Sequence, residues 1–187
     1  MDYDAKILGQ DDQAIALAPD NFRAYTTKSF YLGMSRRFAE AIRAADAGLA
    51  INPNYAPLYT TRHGAEMSLG RFEQAKSDIQ QAMRLSPRDP GMPMWQLQLG
   101  DVELGAGRIE SSIDEFQKAF GAGNRTFYIY ADLAAAYALA GKMDEAKSAL
   151  AEARRLVPNL TVKWFREHAE DIPTRAEGLR KAGLPEE

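Results

Sequence analysis

The residues that could do chemistry are few, and His63 heads them. Glu66 follows three residues on, and in a helix that spacing puts both side chains on one face, as a proton-moving histidine–carboxylate dyad would require. No nucleophile accompanies the pair, so the plainer reading is two polar groups satisfying each other between packed helices. His168, the other histidine, lacks a helically spaced His, Cys or carboxylate set that would make a zinc site. Gly100, Gly105 and Gly107 follow no strand and lack the lysine and serine or threonine of a phosphate loop. Ser111 and Ser112 fall in a helical pattern without a nucleophile elbow around them, and Asp114-Glu115 belongs to a solvated helix face. Acid, base and nucleophile nowhere converge, so the chain is expected to be no enzyme and to need no cofactor and no metal.

Composition narrows the partners. With 45% hydrophobic residues in 187, the chain can build a real core. Its 26 acidic and 23 basic residues are spread along the whole length, so no basic face exists to attract nucleic acid. The absence of cysteine rules out a disulfide framework and thiolate metal sites, and fits a reducing cytoplasm. Met1-Asp2-Tyr3-Asp4 leads into no apolar signal core, and the alanine-rich stretch 131–140 is interrupted by Asp132 and too short for a membrane span. We therefore expect a soluble cytoplasmic chain with no membrane partner, read from its opening as a piece of a longer protein.

Positioning elements come from an internal period. Pro19, Pro53 and Pro87 recur every 34 residues, each closing a similar segment: Leu17-Ala18-Pro19, Ile51-Asn52-Pro53, Leu85-Ser86-Pro87. Leu156-Val157-Pro158 closes a fourth, after an insertion in the turn around Pro90, Gly91 and Pro93. Within each period Arg36, Gly70, Gly107 or Gly141 marks a turn. Two places later comes a bulky apolar residue (Phe38, Phe72, Ile109, Met143), and three further a small one (Ala41, Ala75, Ser112, Ala146). Each period is thus two amphipathic helices joined by a tight turn, with a small side chain where they approach.

This pattern resembles the tetratricopeptide repeat. The fourth copy carries it most fully, with Tyr130, Leu133, Ala134, Tyr137, Gly141, Ala146, Leu150 and Pro158 in register; Tyr25, Leu32, Ala41 and Ala45 carry it in the first, and Leu99-Gly100, Phe116 and Ala119 in the third. The second copy departs from it at His63 and Glu66, and the third at Gln96. The resemblance implies an all-α fold: a right-handed superhelical solenoid of antiparallel helix pairs with a C-terminal capping helix. We expect one domain over 1–187, with 1–19 the second helix of an incomplete repeat, repeats at 22–53, 56–87, 93–124 and 127–158, and a cap and tail at 159–187. Val162, Trp164, Phe165 and Leu179 would cover the last repeat, with Arg166, Glu167 and Glu170 facing water.

In such arrays the first helix of each pair lines the concave side. Helical spacing then puts Arg23, Thr26 and Phe30, followed by Pro57, Thr60 and Met67, along a groove. It continues with Met94, Leu97, Asp101 and Leu104, and ends with Tyr128, Ala131, Ala135 and Ala138. This lining suits an amphipathic helix or apolar peptide, with the alanines a flat seat for close approach. The chaperone-binding members of the family grip terminal carboxylates with lysine, asparagine and arginine. The matching places here are Thr26, Phe30, Thr61, Met94 and Gln98, which supply no cation.

Residues 159–164, Asn-Leu-Thr-Val-Lys-Trp, and 178–186, Gly-Leu-Arg-Lys-Ala-Gly-Leu-Pro-Glu, resemble the tail that follows these repeats in bacterial class III adenylate or guanylate cyclases, particularly rhizobial ones. That resemblance implies a regulatory or scaffolding region of a larger signalling protein, binding a protein or peptide partner or a second copy of itself. The alternative is a spacer or dimerisation arm whose groove is filled by residues 1–18 or by a neighbour's tail.

Overall fold

The computed structural model describes the backbone of residues 3–168 and 172–187, so Glu170 lies outside the described residues. Among these residues there are eleven helices and no strand. They divide into two compact units, Met1–Pro87 and Arg88–Glu187.

The first unit holds α1 (Tyr3–Leu17), then the pairs α2 (Phe22–Met34) with α3 (Phe38–Ile51) and α4 (Ala56–Ser68) with α5 (Phe72–Leu85). In the second, α6 (Met92–Gly105) pairs with α7 (Ile109–Gly121) and α8 (Phe127–Leu139) with α9 (Met143–Leu156); α10 (Val162–His168) and α11 (Pro173–Ala182) follow. We call the first helix of each pair its A helix. Pro57, Pro93 and Pro173 stand in the first turn of α4, α6 and α11, where a missing N–H deprives no carbonyl of its bond.

The same turn closes every pair. The residue after it bonds back five positions, as Arg37 N–H to Leu32 O, Arg71 to Glu66, Arg108 to Glu103 and Lys142 to Tyr137, at 2.8–2.9 Å. This closure needs a left-handed residue just before, supplied by Gly70, Gly107 and Gly141 and, in the first pair, by Arg36 at φ 59°. Ala41, Ala75, Ser112 and Ala146 are all fully buried. Across the α6–α7 contact Gly100 lies so close to Phe116 that a methyl group there would sit 2.4 Å from the ring.

In the first unit the A helices α2 and α4 pack side by side. In the second, α11 folds back across the A helices: it packs chiefly on α8 and also reaches α6 and α9. Leu179, Ala176 and Ala182 of α11 share one buried cluster with Ala131, Ala134, Ala135 and Ala138 of α8 and with Val162 and Phe165 of α10. Trp164 packs on the edge of that cluster, while Arg166 and Glu167 are exposed.

Candidate functional site: the A-helix faces

Two side chains of α2 stand out on the face of the first unit. Phe30 is 51% exposed and Met34 66%, although both are large and apolar. Arg23 is also exposed, and a methyl group placed on Gly64 of α4 would meet open space. Thr26 and Thr60 are half-buried, with hydroxyls that donate back to Phe22 O and Pro57 O of their own helices. Met67 is buried.

On the second unit the face is covered. Met94 remains 41% exposed, but Leu97 and Leu104 are packed into the α6–α7–α8 cluster. Ala131 lies in the cluster beneath α11. Tyr128 is half-buried against Trp164 and Phe165 of α10, with ring centroids 6.0 and 6.1 Å away. Asp101 is buried, and its Oδ1 accepts from Arg175 Nη2 of α11 at 2.6 Å. Arg175 Nε lies 2.7 Å from Asp132 Oδ1. Sequence reasoning does not single out Asp132 or Arg175 as site residues, although Asp132 is visible as the one charge in the alanine run.

A second charged cluster is built into the first unit. Arg62 of α4 makes a bidentate pair with Asp78 of α5 through Nε and Nη2, at 2.7 and 2.6 Å, while Nη1 donates to Asp46 of α3 at 2.6 Å. These carboxylates hold the guanidinium pKa up. Glu66, buried beside them, has its pKa pushed up to about 7, first by burial and then by the charge of Asp78. His63 is buried and sets its Nδ1 3.0 Å from Ala75 O. A carbonyl can only accept, so Nδ1 carries the proton. Ring and carboxylate are both closed to solvent, which removes the access a catalytic His63–Glu66 dyad would need.

Because the folded-state pKa of Glu66 lies above its ordinary 4.5, Glu66 supports the fold below pH 4.5 and that support is lost as pH rises towards about 7. Glu66→Gln should therefore raise the stability of the first unit by about 1–3 kcal/mol at pH 8 and leave it nearly unchanged at pH 4. Denaturant midpoints across that range would show it; parallel curves for both proteins would contradict it.

Among the described residues, no group of three or more His, Cys, Asp or Glu is placed to hold a metal ion, and no helix is long and apolar enough to cross a membrane.

Known proteins bear on these faces only through the fold. Residues 65–89 match the tetratricopeptide repeat family. The Hsp70-Hsp90 organizing protein of Triticum aestivum is 29% identical over 84 residues, which is 45% of this chain and 14% of that protein. The chain thus corresponds to a small part of that relative. A thermophilic TPR protein of Thermus thermophilus superposes with a TM-score of 0.68 at 22% identity, over 95% of this chain and 89% of its own. YrrB, described as a TPR protein with an unusual peptide-binding site, gives 0.65 at 18% identity, over 92% and 90%. What this chain shares with those two structures is the fold, and that fold is the tetratricopeptide repeat's.

Proposed function

We propose that the chain is a non-catalytic protein-interaction module that holds a peptide or amphipathic helix on its A-helix faces. Phe30 carries this reading. A large aromatic half out in water on a face otherwise made of packed helices costs apolar exposure that a bound helix would recover. Phe30→Asp should cost the fold no more than about 1–2 kcal/mol, since half of the ring is already in water and the rest touches Tyr31. It should weaken binding of a partner helix at least about tenfold, a loss of about 1.4 kcal/mol. Captures from the source cell with wild type and variant as paired baits test this; a partner set that Phe30→Asp leaves untouched would move the site elsewhere.

The name of the matched Hsp70-Hsp90 organizing protein does not carry its partners over to this chain, because Thr26, Phe30, Thr61, Met94 and Gln98 offer no cation to hold a terminal carboxylate. The tail's likeness to class III cyclases supports a finer reading, the regulatory region of a larger cyclase-like signalling protein in the cytoplasm. A cyclase domain encoded upstream of Met1 would support it; a different effector domain would remove it.

A spacer or dimerisation arm with a self-filled groove is the second reading, and one observation favours it: α11 lies on the A helices of the second unit. Under that reading no partner is lost with Phe30→Asp.

A further inference from the structure

Helix α11 sits on its face in the manner of a bound ligand. Three consecutive anchors at helical spacing point one way: Arg175, Gly178 three residues on and Leu179 four on, with Ala182 completing the stripe. Arg175 reaches the two buried carboxylates Asp101 and Asp132. Gly178 lets the helix backbone press on α8 so closely that a methyl group there would lie 2.5 Å from Ala135 O. Leu179 is fully buried, while Glu177, Arg180 and Lys181 on the other side are exposed. Gly183, in the left-handed region, ends the helix. The segment then hooks on to α10 through Val162 N–H to Pro185 O at 2.9 Å and Lys163 N–H to Glu186 O at 3.1 Å.

A face that only had to be capped would be served by apolar side chains, because desolvating two carboxylates and a guanidinium costs more than packing residues of like volume. What the charges add is selectivity: a helix without a cation at the place of Arg175 would leave two carboxylates buried without it. We propose that the A-helix face of the second unit is a receptor for a partner helix bearing an arginine, a glycine three residues on and a leucine four on, and that α11 is its resident occupant, displaced when that partner binds. The inference rests on the reading of the A-helix faces as binding surfaces and deepens it by giving the ligand's chemistry and its regulation. While α11 is seated, a competing helix binds more weakly than the bare face would allow, in proportion to how seldom the face stands open.

The probe is a fluorescent synthetic peptide of residues 172–187, titrated into the full-length chain. Gly178→Val in the chain unseats α11 through the Ala135 contact and leaves every wall of the receptor unchanged; Arg175→Glu does so by charge, as an independent second variant. Both variants should bind the peptide at least about tenfold more tightly than wild type. The same peptide carrying Arg175→Gln should bind them at least about tenfold more weakly than the unaltered one. Three results overturn the proposal: peptide affinity equal for wild type and variants; loss of the cooperative melt in both variants, which makes α11 an obligatory part of the core; or a wild-type chain of doubled mass by light scattering, which makes the occupant a second copy's helix. None of these alters what Phe30→Asp reports on the other unit, so the interaction reading stands or falls separately.

Discussion

Arg175→Ala should destabilise the second unit by about 3–5 kcal/mol, the cost of leaving two carboxylates buried without their guanidinium. Both acceptors are shut away from water, Asp132 completely and Asp101 almost so, which keeps solvent from replacing the lost charge. Removing the acids together with the base is a different matter. The combined change Asp101→Leu, Asp132→Leu, Arg175→Met should recover most of that loss, because apolar groups of similar volume dispense with the desolvation of three ions. Denaturation midpoints of wild type, single variant and triple variant would establish the order. A single variant as stable as wild type would mean that α11 does not occupy its observed seat in solution.

Phe116→Ala should cost about 3–5 kcal/mol, because the ring is fully buried between α6, α7 and α8 and its loss leaves a cavity the helices cannot close. The approach of Gly100 to the same ring makes the two positions interdependent. Gly100→Ala puts a methyl group 2.4 Å from the Phe116 ring and should be strongly destabilising on its own. Combined with Phe116→Leu, which vacates the ring edge, it should cost less than the sum of the two single changes. Thermal or denaturant melts of the three variants measure this, and strict additivity would show that the α6–α7 contact is looser than its geometry.

The turn register is legible because one physical demand recurs in every pair. Gly70, Gly107 and Gly141 meet it by having no Cβ, and Arg36 is found at the same place only because the period points there. The fully buried Ala41, Ala75, Ser112 and Ala146 follow from the same spacing. The groove lining is harder to read. Counting faces along α6 selects Leu97 and Leu104 as well as Asp101, but α6 packs against α7 and α8 and is reached by α11, so a residue off one packed face meets another. The return of α11 leaves no periodic signature, since Arg175 and Asp101 are 74 residues apart in the chain. Two signals do point to it: the alanines of α8, read as a flat seat for a close helix, and Leu179, assigned to the cap. Neither reveals that the seat is taken by the chain's own tail. The His63–Glu66 spacing is likewise real, but both side chains are buried, and burial is what a spacing in the sequence does not reveal.

Whether α11 is a displaceable occupant can be read by hydrogen–deuterium exchange on the full-length chain, followed over residues 173–184 before and after excess 172–187 peptide is added. These amides should begin protected, though less strongly than those of α8, and lose that protection as the peptide displaces them, while α8 stays protected. Exchange at the unstructured rate before any peptide is added, or protection that persists in full while no peptide binds, would contradict the displacement of α11 by a partner helix.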